Sequence, residues 1–241
     1  MSDPHDPMNS EGMEGWNKYD GPVDLTPYSA TAAIGYGWRK FWARPSTLLI
    51  PVILVVVVVV VVQLLIQFIV SGGFSGNSDN FWRQWLGLGL GTAVMSLVVN
   101  LLGAGLYRGA VTIAEGRQLT VGEMFQGWDK LQVVLAAFLI AVATFIGTVM
   151  CLLPGILIAF LTPYTLFFIV DQKLEAAEAI QGSVLMVWHN FGRALLFAIF
   201  ASVILAIGAL LFVIGLLVAV PVVLIAMAYT YRRLQGAPVV P

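Results

Sequence analysis

From Leu131 to Val170 the sequence runs for 40 residues without a charged side chain. One helix needs about 20 apolar residues to cross the hydrocarbon core, so this block is too long for one span and right for two. Leu48 to Val70 adds 23 uncharged residues, including eight consecutive valines from Val55 to Val62. In water such a β-branched run favours a strand. In lipid every backbone N–H and C=O must be satisfied within its own segment, which makes the block a helix.

Composition points the same way. Hydrophobic residues make up 59% of the 241-residue chain and charged residues 10%, with a mean hydropathy of +0.91. An ordinary soluble domain is roughly a quarter charged, and a soluble fold of this size could not cover so much apolar surface. The net charge of −1 and the lack of a basic cluster argue against nucleic acid as a partner. The single cysteine, Cys151, lies in an apolar stretch, which excludes a disulfide framework and a thiolate metal site. The two histidines, His5 and His189, do not form a metal centre, and no cofactor is expected. The first forty residues lack the apolar core of a signal peptide, and residues 1–24 read as a disordered polar tail. Trp16 and Tyr19 in that tail are candidate anchors for folding on a partner.

Six spans are predicted at 48–70, 86–107, 131–153, 155–170, 194–214 and 216–231, within a membrane domain of residues 25–235 that ends in a short tail, 236–241. Tight reversals are expected at Leu153-Pro154-Gly155 and around Ile214-Gly215, because proline and glycine punctuate helices. An even number of spans puts both termini on one side. That side receives every lysine and arginine except Arg83, as the positive-inside rule requires of cytoplasmic N and C termini. Five or seven spans would scatter these charges. Trp38, Trp42, Trp82, Trp85, Trp128 and Trp188 flank spans, at the headgroup level their rings favour.

The segments between spans carry a repeat. Gln118–Gly127 (QLTVGEMFQG) and Lys173–Gly182 (KLEAAEAIQG) match at Leu119/Leu174, Glu123/Glu178, Gln126/Gln181 and Gly127/Gly182. A looser third copy precedes the first span, where Leu25-Thr26 matches Leu119-Thr120 and Gly37-Trp38 matches Gly127-Trp128. Thr120 and Glu123 are spaced as a capping box, with Leu119 and Met124 as its hydrophobic staple. Thr26-Pro27 is a helix start. Ala176, Ile180, Val184 and Trp188 recur every four residues and predict an apolar face. The expected fold is an all-α integral membrane protein: six transmembrane helices as three parallel hairpins, each preceded by an interfacial amphipathic helix.

Leu153-Pro154-Gly155-Ile156, Pro163, Val170-Asp171 and the stretch from Ala176 to Trp188 ending in Asn190-Phe191-Gly192-Arg193 resemble a group of prokaryotic six-helix membrane domains. That group includes the domain found beside glycerophosphodiester phosphodiesterases and uncharacterised integral membrane proteins, actinobacterial ones among them. The resemblance covers residues 25 to 235 and is mostly architectural. In the fused proteins catalysis belongs to a separate soluble barrel, for which this chain has no room, so no phosphodiesterase activity is implied.

No ionisable residue falls in the middle of a predicted span, which counts against proton-coupled pumping and intramembrane proteolysis. Asn100, near the middle of the second span, and Gln63 and Gln67, one turn apart in the first, are candidates for lining a cavity or for polar helix–helix contacts. Gly87, Gly91, Gly105 and Gly109 are spaced for close helix packing. Pro163 and Pro221 are expected to kink their spans. Arg108, Arg117 and Lys130 are candidates for anionic lipid headgroup contact, or serve only to set topology. His189 is a headgroup contact or a pH-sensitive group.

These features fit a non-catalytic protein of the bacterial plasma membrane, acting as scaffold, accessory subunit or lipid-organising factor. Its expected partners are membrane lipids and another membrane protein or a second copy of the chain. The alternative is a facilitator or transporter of a lipid-like or uncharged solute through a cavity bounded by Asn100, Gln63 and Gln67. An enzyme is the least supported class, since no nucleophile–base pair or metal cluster can be assembled.

Overall fold

A computed structural model describes the backbone of residues 28–43, 45–70, 81–117, 121–124, 126–150, 152–237 and 239–240. Among them there is no strand; the chain is built from α1 (Ala30–Ala43), α2 (Pro45–Val70), α3 (Phe81–Ala114), α4 (Val121–Met124), α5 (Lys130–Met150), α6 (Leu152–Leu161), α7 (Thr165–Gln172), α8 (Ala176–His189), α9 (Phe191–Leu210) and α10 (Phe212–Leu234). Six helical stretches among the described residues are long and apolar enough to cross a membrane: Leu49–Ile69, Gln84–Ala114, Lys130–Met150, Leu152–Gln172, Phe191–Leu210 and Gly215–Leu234. The polar tail with Trp16 and Tyr19, the Thr26-Pro27 start, Leu119, Thr120 and Cys151 lie outside the described residues.

Consecutive spans touch: α2 packs on α3, α5 on α6 and α9 on α10. α3 also packs on α5, while α10 lies against α1, α2 and α3. The corners differ from expectation. α5 ends at Met150 and α6 starts at Leu152, so Pro154 sits in the first turn of a helix, where its missing N–H costs nothing. Gly155 has no positive φ. A Cβ there would run into Thr148, and one on Gly147 would lie 3.0 Å from the Gly155 nitrogen. The second corner is at Leu211 (φ −85°, ψ 18°) between α9 and α10, and Gly215 lies inside α10 against Gly208. Glycine serves both corners by letting backbones approach, not by bending the chain.

Pro221 stays within α10, but Pro163 breaks its span into α6 and α7. The break is repaired from α8. Ser183, fully buried, donates through Oγ to the Leu161 carbonyl at 2.8 Å and accepts the Tyr164 N–H at 3.2 Å. The buried stripe of α8 is therefore Ala176, Ala179, Ser183, Met186 and Val187. It replaces the expected Ala176, Ile180, Val184 and Trp188, of which Trp188 is 64% exposed. Strict four-residue spacing drifts about 40° per step on a 3.6-residue helix, so the last member turns away. The repeat also diverges in structure: Gly127 follows the four-residue α4 at φ 81°, whereas Gly182 lies inside the 14-residue α8.

The core gathers at the end of the bundle that carries both described chain ends. Tyr36 of α1, Val52 of α2, Val133 of α5, Phe167 of α7, and Ile225, Tyr229 and Tyr231 of α10 are fully buried there. The Phe167 ring stacks on Tyr231 with centroids 5.1 Å apart and meets Tyr107 edge-on at 4.7 Å. The segment after α10 docks on this end: Val240 N–H bonds to the Ala114 carbonyl at 3.0 Å, and Tyr36 Oη donates to the Val240 carbonyl at 2.9 Å. Asp129 Oδ1 caps α5 by accepting the Leu131 N–H at 2.9 Å. Gln132 Oε1 does the same for α8 through Ala176. At the opposite end the buried positions are small, among them Gly89, Ala93, Gly147, Thr148, Gly155 and Gly208. Helices joined only by small residues leave space between them.

Candidate functional site

That space is a cavity of about 780 Å³ between α2, α3, α5 and α6, with Thr162 and Pro163 at its inner end. Such a volume suits a small organic ligand, for which pockets run from about 300 to 1,000 Å³. α3 supplies the floor. Its residues Gln84, Thr92, Ser96 and Asn100 line the cavity and recur at multiples of four, so one face of an otherwise apolar helix is polar. α2 contributes Gln63 and Gln67, α5 contributes Thr144 and Thr148, and each pair is again four residues apart. No described lining residue carries a formal charge.

The three amide residues singled out in the sequence thus meet in one place. Asn100 Nδ2 donates to the Ser96 carbonyl at 2.7 Å, a bond within α3 and not between helices. It also lies 3.4 Å from Ser96 Oγ. Its Oδ1 faces no donor among the described residues. Gln63 and Gln67 are exposed and make no side-chain hydrogen bond among the described residues. Thr92 Oγ1 donates to the Gly89 carbonyl at 2.9 Å and sits 3.4 Å from Thr148 Oγ1. Trp85 Nε1 donates to the Val149 carbonyl at 2.9 Å and fixes the rim. An unpaired amide in hydrocarbon costs free energy.

The glycines divide between roles. Gly87 and Gly91 line the cavity, and a Cβ on Gly91 would come within 2.9 Å of Ile66 on α2. Gly105 and Gly109 are buried in the packed half. Thr92, Ser96, Thr144 and Thr148 were not singled out from sequence. Their four-residue spacing on apolar helices is the signal that finds them.

The basic residues are elsewhere. Arg108 donates to the Gln126 carbonyl, and its guanidinium occupies the space a Cβ on Gly127 would need. Arg117 pairs with Glu115 through Nε at 2.8 Å, while Lys130 is exposed at the start of α5. The other oxygen of Glu115 accepts from buried Arg232 at 2.7 Å, tying α3 to α10. His189 is exposed at the end of α8. Ahead of α1, burial raises the Tyr28 phenol above its ordinary pKa, and a bond with Thr230 Oγ1 partly offsets this.

The chain is 26% identical over 238 residues to the uncharacterized protein Rv2560 of Mycobacterium tuberculosis, covering 92% of this chain and 73% of that one. It has the same likeness to the uncharacterized protein Mb2590 of Mycobacterium bovis, with equal identity and coverage. No family model matches the sequence. No solved structure matches it either.

Proposed function

We propose that this chain is a non-catalytic, multi-pass protein of the bacterial plasma membrane that takes up an uncharged, lipid-like solute between its helices and facilitates its movement. The observation that carries this is the convergence of Gln63, Gln67 and Asn100 on one intramembrane cavity. Uncharged amides pair with hydroxyl and carbonyl groups without the desolvation cost of an ion. The proposed setting is three hairpins with both termini cytoplasmic, supported by the one-sided distribution of lysine and arginine. α1 and α8 then lie at the cytoplasmic interface. The architecture is of the six-helix kind found beside glycerophosphodiester phosphodiesterases, and the mycobacterial similarity agrees with a bacterial membrane.

The test is native mass spectrometry of the protein released from lipid nanodiscs without delipidation. The expected result is a chain that keeps one neutral lipid-like molecule, lost on Asn100→Leu while the protein remains folded. A bare chain bound to a stoichiometric protein partner would overturn this in favour of an accessory subunit.

A further inference from the structure

The polar rungs of the cavity are not spread evenly across the membrane. The α3 span, Gln84–Ala114, is 31 residues long, about 46 Å at 1.5 Å per residue, which reaches from headgroup to headgroup. Asn100 is near its centre. Apart from Tyr107, every other polar lining residue of α3 lies between Asn100 and the end remote from the chain termini. Gln63 and Gln67 on α2 and Thr144 and Thr148 on α5 also fall in the half of their spans nearer that end. On the other side of Asn100 the cavity ends at Tyr107. Tyr107 is packed edge-on against Phe167, and Ala104 and Ala110 are fully buried.

We infer that the cavity is a one-sided headgroup path, open to the leaflet remote from the chain termini and ending at Tyr107 past the bilayer centre, and that it takes lipids whose small headgroup is uncharged, of the acylglycerol type. This rests on the proposed lipid-handling role and adds the ligand class and the side of entry. An ordinary lipid in that leaflet keeps its head at the rim and its chains at the centre. The groups along this path that have no partner among the described residues, Asn100 Oδ1 and the Gln63 and Gln67 amides, would then face only hydrocarbon, at a cost for each. They are matched when a head descends among them. A glycerol hydroxyl or ester oxygen can pair with Gln67, Gln63 and Asn100 in turn, because a carboxamide both donates and accepts. A phosphate could not follow. It would carry its charge to the bilayer centre with no cation among the described lining residues to meet it.

The experiment uses the full chain in phosphatidylcholine nanodiscs doped with equal amounts of two photoactivatable lipids. One is a diacylglycerol and the other a phosphatidylglycerol, with identical chains and the diazirine placed next to the glycerol. Crosslinked peptides are mapped by mass spectrometry. The diacylglycerol is expected to label the stretches around Ser96–Asn100 and Thr144–Thr148 several-fold more than the phosphatidylglycerol, and neither is expected to label Ala110–Ala114, which is buried beyond the cavity. Asn100→Leu should cut the inner labelling about three- to tenfold, the equivalent of one lost hydrogen bond. It should leave labelling of the outward-facing Phe138 unchanged. Equal inner labelling by both probes would overturn the uncharged class while leaving a lipid site in place. Labelling that reaches Ala110–Ala114 would overturn one-sided entry. Labelling confined to outward faces would remove the lipid-handling role as well. The wild-type comparison of the two probes decides the ligand class even if the variant fails to fold.

Discussion

At the scale of single residues, α1 carries its own control. A Cβ on Gly37 would run into the Val222 carbonyl of α10, whereas one on Gly35 would meet nothing within 4 Å. Gly37→Ala should therefore cost about 1–3 kcal/mol by overpacking. Gly35→Ala, relieved of glycine's entropy, should be neutral or stabilising by up to about 1 kcal/mol. Melting temperatures of the two variants in the same detergent check the pair, and equal shifts would refute the close α1–α10 approach. A second contrast lies at Glu115. Replacing it with alanine leaves the buried Arg232 without that carboxylate and should cost about 3–5 kcal/mol. Arg117, with a side chain 65% exposed, should contribute no more than about 1 kcal/mol when truncated. Chemical denaturation of the two variants measures the difference. Sequence could not assign these partners: Arg232 counted as a topological charge, and its pairing across 117 residues follows from packing alone.

At the scale of elements, the number of long helices and their approximate limits were legible because charge-free length has one physical meaning in lipid. The corners were misplaced because proline and glycine carry two meanings. Pro154 begins a helix and Gly155 admits a neighbour, and neither bends the chain. The apolar face of α8 was misassigned because the partner it meets, a broken helix, is not written in its own sequence. For the site, the amides Gln63, Gln67 and Asn100 were legible as polar exceptions in apolar runs. Thr92, Ser96, Thr144 and Thr148 were passed over because hydroxyls are ordinary in membrane helices, where they can bond to their own backbone. The repair at Pro163 makes its own prediction. Ser183→Ala removes one acceptor and one donor from a buried break and should cost about 1–3 kcal/mol. Ser183→Thr should rescue part of it only if the added methyl fits, and thermal unfolding reads both.

At the scale of the whole molecule, a bundle with bulky packing at one end and small-residue contacts at the other should differ in access along its length. In a Cys151→Ala background, cysteines at Ser96 and Thr144 should react with a small neutral maleimide, whereas one at the fully buried Ala136 should not. Comparable reaction rates at all three would contradict an open half. The same division has a hereditary side. Substitutions among Tyr36, Phe167, Tyr229 and Tyr231 disturb several helices at once, because each ring is shared between elements. Outward-facing apolar residues of the open half, such as Leu64 and Ile146, touch little but lipid and can exchange for one another at small cost. A saturation library selected for membrane expression should therefore purge variants at the closed end and retain them at the open end. Under the proposed role, selection on the solute would fall on the few polar rungs, so a change of cargo would leave the foundation of the fold in place.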